Sequence, residues 1–207
     1  MKAVRHIAIT GGIGSGKSYV CRLLRNQGIS VYDCDAAAKR LMRTSPVLRR
    51  QLTDLIGPDA YGANEANKPD EAMLNKAAVA RFLLASAENA KAIDDIVHPA
   101  VANDFLQSGQ QWLESAILFQ SGFDRRIHFD AIICVTAPEE VRIERIMARD
   151  NISRENAIQW IERQWPQKEV LSRSDYEIVN DGERPLLPQI ERILIDINQT
   201  ISQTSIS

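Results

Sequence analysis

Residues 7–18 carry the side chains and spacing that most clearly indicate a chemistry, reading Ile-Ala-Ile-Thr-Gly-Gly-Ile-Gly-Ser-Gly-Lys-Ser. An apolar, strand-like run breaks into a glycine-rich loop that follows the pattern G-x-x-x-x-G-K-[ST], with Gly11 as its first glycine. Because glycine has no Cβ, the backbone N–H groups of such a loop can crowd around phosphate oxygens. The positive end of the following helix adds to this attraction. The sequence therefore predicts a binding site for a nucleoside triphosphate.

Two side chains of this loop have chemical roles of their own. Lys17 is expected to reach the outer phosphates, and the Ser18 hydroxyl is expected to bind Mg²⁺. The residues predicted to contact the triphosphate are Gly11, Gly12, Ile13, Gly14, Ser15, Gly16, Lys17 and Ser18.

Five short apolar runs, separated by helical patterns, must supply the framework around this loop. Strands that alternate with helices predict βαβ units and a parallel sheet, and hence an α/β fold. The predicted strands are His6–Thr10, Ile29–Asp33, Trp112–Leu118, Ala131–Ala137 and Tyr176–Asn180.

The stretch from Ser45 to Gln111 is helical in pattern, shows no clear strand, and is too long for a simple crossover. Ser45-Pro46 has the residue types of an N-cap and first helical position, whereas Pro58–Glu71 has the composition of a long loop. Pro99 is expected to bend or interrupt the helix predicted over 86–107. We interpret the stretch as an inserted helical subdomain, which beside a phosphate site often binds the second substrate.

Helix-start signals also mark the C-terminal half of the chain. Thr136 and Glu139 match a capping box, and Ser153 is a predicted N-cap. A final amphipathic helix is predicted over about 185–201, followed by a polar, frayed end at 202–207.

Composition narrows the classes of partner and compartment. The net charge is −2 over 207 residues, so no global field favours nucleic acid or an acidic membrane. Cys21, Cys34 and Cys134 form no C-x-x-C pair, which favours reduced thiols over a disulfide framework or a zinc site. No signal peptide or membrane-spanning run is found, and we expect a cytoplasmic protein.

Two short matches to GTPase motifs are rejected on their context. Residues 67–70 read Asn-Lys-Pro-Asp, and residues 54–57 read Asp-Leu-Ile-Gly. In GTPases such motifs end apolar strands, but Asp54 lies in a helical pattern and Asn67 in a polar loop. Chance matches to four-residue patterns are common.

Two further features have a structural and a functional interpretation. Asp33 and Asp35 close the second predicted strand, at the sheet edge where parallel α/β proteins bind ligands. They suit a general base or metal-water contact, or equally a helix cap and a first-turn acid. Arg142, Arg145 and Arg149 share one helix face, which is either a solvated surface or a lid that closes onto a phosphoryl group. The spacing alone favours the surface.

The motifs in their order resemble those of the dephospho-CoA kinase family over nearly the whole chain, from about residue 7 to 199. They are the loop at 10–18, Asp33-x-Asp35, His98-Pro99, residues 117–122, Arg149-Asp150, Arg163-Gln164 and residues 175–182. The resemblance implies a P-loop kinase core with a five-stranded parallel sheet flanked by helices, a helical substrate-binding insertion and a helical lid. The implied ranges are 1–44, 109–136 and 174–207 for the core, 45–108 for the insertion and 137–173 for the lid.

The resemblance also implies the reaction, which is transfer of the γ-phosphoryl group of ATP to the ribose 3′-hydroxyl of dephospho-CoA, with Mg²⁺. Asp35 then corresponds to the family's proposed base, and Arg149 to its lid arginine, with Arg145 as a second candidate. Asp33 and His98 are implied on the substrate side, and Asn180 and Gly182 in the loop near the adenine of ATP. We expect a monomer or small homo-oligomer that binds neither nucleic acid nor membrane.

Gln120 departs from the family's pattern, because a glutamate is usual there, and any contact through it is neutral in this chain.

Two alternatives remain open from the sequence. One is a kinase of the same fold that acts on another small molecule. The other is a nucleotide-dependent switch without a small-molecule acceptor.

Overall fold

The computed structural model describes residues 5–62 and 73–204, with side chains described as far as residue 199. Five strands form one parallel sheet in the order β2-β5-β1-β6-β7, and β3 and β4 form a separate antiparallel pair. The strands are β1 Ile7–Thr10, β2 Val31–Asp33, β3 Tyr61–Gly62, β4 Met73–Leu74, β5 Trp112–Glu114, β6 Ala131–Thr136 and β7 Tyr176–Val179. The predicted five-stranded α/β sheet is thus confirmed, with β1 at its centre.

Ten α-helices lie within the described ranges. They are α1 Lys17–Asn26, α2 Cys34–Thr44, α3 Pro46–Ile56, α4 Lys76–Ala85, α5 Ala87–Ser108, α6 Phe123–Arg126, α7 Glu139–Asp150, α8 Arg154–Glu162, α9 Gln167–Ser172 and α10 Leu186–Thr204. None of these helices is both long and apolar enough to cross a lipid bilayer.

The first of two compact units comprises residues 1–32 and 109–207 and contains most of the sheet. Strands β1, β5 and β6 are almost completely buried, as their near-continuous apolar sequences require, whereas only Ile178 is buried in the edge strand β7. Ile9 of β1 and Ile133 of β6 are within the core with Leu24 of α1, Ile178 of β7 and Ile190 of α10. This packing fixes the end of β1, from which the glycine-rich loop emerges.

The second unit, residues 33–108, is almost entirely helical. Leu48 and Leu52 of α3 are buried with Val97, Val101 and Phe105 of α5. The unit begins at Asp33, whereas the range that the resemblance implies for the insertion begins at residue 45. The reason is that α2 packs against α3 and α5, and an ion pair of 2.5 Å joins Arg40 of α2 to Asp104 of α5.

Several local predictions are confirmed by the cap geometry. Ser45 and Ser153 each accept a hydrogen bond from the backbone N–H three residues on, and Pro46 is the first residue of α3. Asp54 lies within α3, so it does not end a strand as a GTPase motif would. The Asn67–Asp70 match lies outside the described residues.

Other local predictions are wrong. Thr136 is not a cap: it ends β6, its hydroxyl donates to Glu177 at 2.6 Å, and Pro138 occupies the N-cap position of α7. β3 falls within the segment predicted to be a loop. The strand has only two residues, which is too few for the alternating apolar pattern that indicates a strand. Pro99 does not interrupt α5. The final helix continues to Thr204.

Candidate active site

The glycine-rich loop follows β1 directly and leads into α1, which begins at Lys17. Gly11, Gly14 and Gly16 have φ values of 146°, 80° and 88°, in the region that only glycine adopts readily. Neighbouring atoms also exclude larger residues, because a Cβ on Gly11 would overlap the Val135 carbonyl oxygen. The predicted loop is therefore present, with each of these glycines required by its backbone conformation.

Lys17, at the start of α1, forms an ion pair with Glu114, the last residue of β5. The pairing follows from the sheet, since β5 is the neighbour of β1 and Glu114 is in register with Ile9. Both side chains are only 11 % exposed. Loss of either partner would leave an uncompensated charge at a site this buried, which is energetically costly.

Two side chains hold the backbone at Ile13. Gln164, just after α8, accepts a hydrogen bond of 2.7 Å from the Ile13 N–H through its Oε1. Arg142 of α7 donates from its Nε to the Ile13 carbonyl oxygen at 2.9 Å. We call this pair of contacts the Ile13 clamp.

Asn180 and Arg145 contact the following part of the loop. The Asn180 amide donates to the Ser15 carbonyl oxygen at 2.8 Å. Arg145 donates to the Asn180 carbonyl oxygen at 3.0 Å and, over 3.4 Å, to the carbonyls of Gly14 and Ser15. These contacts bind loop carbonyls, so they orient the backbone rather than occupy its N–H groups.

The arginine row on α7 therefore divides into two environments. Arg142 is 4 % exposed, so the surface interpretation is wrong for it. Arg145 is part-buried against the loop. Arg149, one turn further, has a side chain that is 60 % exposed and pairs with Asp150 at 2.6 Å. The structure thus brings Arg145 to the loop and leaves Arg149 at the exposed end of the helix.

Burial sets the electrostatics beneath the loop. It lowers the pKa of Arg142, an effect that Glu139 partly opposes. Burial, with the nearby Glu177 carboxylate, raises the pKa of Cys134 to about 12, so this thiol is neutral at physiological pH. Cys21, Cys34 and Cys134 are all buried and unbridged.

A shallow pocket that is open to solvent lies beside the loop. Its lining includes Thr10 and Gly12 of the β1–loop segment and Arg142, with Phe119, Gln164 and Trp165 around it. A group bound there would meet both the loop and a buried cation.

The candidate acceptor-side residues lie in the helical unit. Asp33 is the N-cap of α2, where it accepts a hydrogen bond of 2.9 Å from the Ala36 N–H. Asp35 lies in the first turn of the same helix. His98 lies on α5 and is 3.5 Å from Asp94, one turn earlier. The cap interpretation is thus confirmed for Asp33.

Residues 180–182 form the predicted turn after β7. The Asp181 carboxylate accepts hydrogen bonds from the N–H groups of Glu183 and Arg184 at 3.0 and 2.9 Å. These bonds lower the pKa of Asp181. Gly182 has a φ of 94°.

Glu114, Gln164 and Arg142 are site residues that the sequence did not identify. Glu114 carried a usable signal, because it is a charged residue inside a predicted apolar strand next to β1. Gln164 is part of the Arg163-Gln164 motif, to which the sequence analysis assigned no role. Its hydrogen bond to Ile13 joins residues 151 positions apart, a separation that no local sequence pattern reveals. Arg142 stands in a row of charges that is typical of an exposed helix face.

A glycine-rich loop of the P-loop type after the central strand of a five-stranded parallel sheet, with a lysine at the start of the following helix, gives this chain the fold of the P-loop kinases. The fold is similar to that of shikimate kinase from Acinetobacter baumannii, with a TM-score of 0.56 and 15% identity over 96% of this chain and 95% of that one. At this identity the likeness shows the fold alone.

The chain belongs to the dephospho-CoA kinase family, whose profile matches residues 5–185. It is 39% identical to the dephospho-CoA kinase of Bacteroides fragilis (strain YCH46), over 94% of each chain. A crystal structure of a Thermus thermophilus protein has a TM-score of 0.76 and 31% identity, over 94% of this chain and 98% of that one.

Proposed function

We propose that this chain transfers the γ-phosphoryl group of ATP to the ribose 3′-hydroxyl of dephospho-CoA, which gives CoA and ADP in the final step of CoA biosynthesis. The observation that carries the proposal is the glycine-rich loop of a chain of this family. Side chains hydrogen-bond to its backbone carbonyls, and its Lys17 is paired with Glu114. Phosphoryl transfer depends on positioning and charge stabilisation, which such a loop supplies.

On the donor side, Gly11–Ser18 hold the triphosphate and Lys17 neutralises its outer phosphates. The pairing of Lys17 with Glu114 keeps the ammonium group at the start of α1. The Ser18 hydroxyl, next to Lys17 in the chain, would offer an oxygen ligand of the kind that Mg²⁺ prefers. Bound Mg²⁺ would neutralise charge that develops on the phosphates.

On the acceptor side, Asp35 orients the 3′-hydroxyl and accepts its proton. Support comes from its place, two residues after β2, because parallel strands end at the edge where α/β proteins bind ligands. Asp33 shapes this turn as the cap of α2, and we assign it and His98 to the substrate pocket.

Arg149 completes the site when the part of segment 137–173 around it closes as a lid, while Arg142, Arg145 and Gln164 of the same segment stay bound to the loop. Its exposed position at the end of α7 suits a residue that moves onto the γ-phosphoryl group, where a guanidinium stabilises spread negative charge. Arg145 is fixed against the loop and acts with Asn180 at the nucleotide. Gly182 gives the turn room beside the adenine.

We also propose a cytoplasmic monomer or small homo-oligomer whose partners are these two substrates. Three buried, unbridged cysteines support a reducing compartment. The net charge of −2 supports neither nucleic acid nor an acidic membrane as a partner.

A substrate panel tests the reaction. Purified protein with ATP and Mg²⁺ is offered dephospho-CoA, AMP, CMP, uridine or shikimate, and ADP release is measured. Of the five acceptors, only dephospho-CoA should give rapid, acceptor-dependent ADP release. Use of another acceptor with dephospho-CoA untouched would indicate a different kinase of this fold, and acceptor-independent hydrolysis would indicate a switch.

A further inference from the structure

The Ile13 clamp acts on two different peptide groups. Gln164 binds the N–H of the Gly12–Ile13 peptide, and Arg142 binds the carbonyl of the Ile13–Gly14 peptide. These two groups flank one Cα atom, so both backbone dihedrals of Ile13 are restrained. The rest of the loop is turned by glycines, which restrain it least of all residues.

The clamp also determines where a neighbouring donor points. In a trans peptide, the N–H and the C=O point in opposite directions. Because Arg142 holds the Ile13 carbonyl, the Gly14 N–H of that peptide points away from Arg142. It is thereby directed to the other side of the chain, where it can donate to a phosphate oxygen.

The space around the clamp is closely filled. A Cβ on Gly12 would lie 2.6 Å from Arg142 Nη2 and 3.2 Å from Gln164 Oε1, and one on Gly14 would lie 2.6 Å from the Arg142 carbonyl oxygen. The loop therefore lies directly against both clamp residues. Neither they nor the loop can shift independently.

We propose that Gln164 and Arg142 are positioning residues for the phosphoryl donor: they hold the backbone at Ile13 in its phosphate-binding conformation before the nucleotide arrives. This inference rests on the proposed function insofar as the loop binds ATP. Gln164 and Arg142 act through the loop, and their hydrogen bonds, rather than the charge of Arg142, carry the effect.

Isosteric variants separate hydrogen bonding from charge. Gln164→Met and Arg142→Met keep apolar bulk but remove the acceptor and the donor. In Arg142→Gln, the amide Nε2 occupies the place of the arginine Nε along the side chain, so it can still donate to the Ile13 carbonyl without a charge. ADP binding is measured by calorimetry with no acceptor present, and kcat and KM for ATP are measured with dephospho-CoA.

Both methionine variants should bind ADP about tenfold more weakly, because binding must then order one more backbone residue. KM for ATP should rise in parallel, while kcat at saturating ATP stays within about twofold. Arg142→Gln should bind ADP within about threefold of the wild type. The double methionine variant should lose less than the product of the single losses, because both contacts restrain one residue.

Arg154→Met is the matched control, since Arg154 also belongs to the α7–α8 segment but pairs with Glu140 on the surface at 2.7 Å. It should bind ADP as the wild type does. Wild-type affinity in both Gln164→Met and Arg142→Met, with only a lowered melting temperature, would overturn the proposal in favour of a purely structural role. Equal losses in Arg142→Gln and Arg142→Met would show that charge matters and overturn it for Arg142.

Failure of the proposed function gives a different result. If the wild type binds ADP but does not phosphorylate dephospho-CoA, the reaction is wrong, and the clamp is still tested by the ADP affinities. If dephospho-CoA is phosphorylated and the clamp variants keep wild-type ADP affinity, the reaction stands and the clamp is wrong.

Discussion

The glycine-rich loop and the β2–α2 turn, which carry the proposed donor-side and acceptor-side residues, are built in different ways. The loop is held by side chains that are far away in the chain: Gln164 lies 151 residues from Ile13, and Asn180 lies 165 residues from Ser15. The turn is organised locally, because Asp33 caps the helix by a bond to Ala36, three residues on.

This difference separates binding from turnover. Long-range contacts make the loop's shape a property of the whole first unit, so substitutions there should change nucleotide affinity. A locally capped helix start can lose one carboxylate without a change at the loop, so substitutions there should change the chemical step.

Asp35→Asn tests the separation with the largest expected effect. Loss of the base should lower kcat by about 10²–10⁴-fold, the usual contribution of general acid–base catalysis. ADP affinity by calorimetry should stay at the wild-type value, because the loop is intact. Near-normal kcat would remove Asp35 from the reaction.

Arg149→Ala tests whether an exposed residue on α7 affects kcat rather than nucleotide affinity. Removal of one charge-stabilising donor should lower kcat by about 10²-fold, while ADP affinity stays the same. Arg154→Ala, also exposed and on the following helix, should leave kcat unchanged. Equal behaviour of the two variants would argue against a lid arginine at position 149.

Gly16→Ala should weaken nucleotide binding. The new Cβ would overlap the Asn180 amide at a residue whose φ is 88°, and the left-handed conformation alone costs about 1–2 kcal/mol. With the Asn180 contact disturbed, calorimetry should give an ADP affinity that is at most about one tenth of the wild-type value.

Gly28→Ala provides the control, because its φ is 83° but no atom lies within 4 Å of the added Cβ. It should lose some stability and keep its ADP affinity. If both variants bind ADP equally well, the contact of Asn180 with the loop does not shape the nucleotide site.

Asp33→Ala gives the smallest effect, a loss of stability of about 1 kcal/mol from the missing helix cap, measured by urea unfolding. Asp33→Asn keeps a capping oxygen and should restore this stability. A raised KM for dephospho-CoA in Asp33→Asn, with stability restored, would separate a substrate contact from the cap. Wild-type KM would leave Asp33 with the cap alone.

The sequence could predict the parts of the site that depend on local contacts but not those that depend on long-range contacts. The loop depends on neighbouring residues and was predicted, and the Asp33 cap was one of the two interpretations that the sequence left open. The burial of Arg142 was not predicted, because its environment is made by the loop after β1 and by Gln164 after α8. Thr136 satisfied the capping pattern, but its hydroxyl bonds to Glu177 across the sheet, which no local motif shows.

The division of the chain shows the same limit. The alternation of strands and helices predicted the five-stranded sheet correctly. The range that the resemblance implies for the core ends at residue 44 and includes α2, whereas the packing of α2 against α3 and α5 groups it with the helical unit. The short pair β3–β4 is too brief for any periodicity to reveal.

Identification of the phosphorylated hydroxyl tests the central claim most directly. The protein is incubated with ATP, Mg²⁺ and dephospho-CoA, and the product is examined by ³¹P NMR and mass spectrometry. The proposal predicts one new phosphomonoester on the ribose 3′-oxygen for each ADP formed. Phosphate on any other oxygen, or release of inorganic phosphate with dephospho-CoA unchanged, would contradict it.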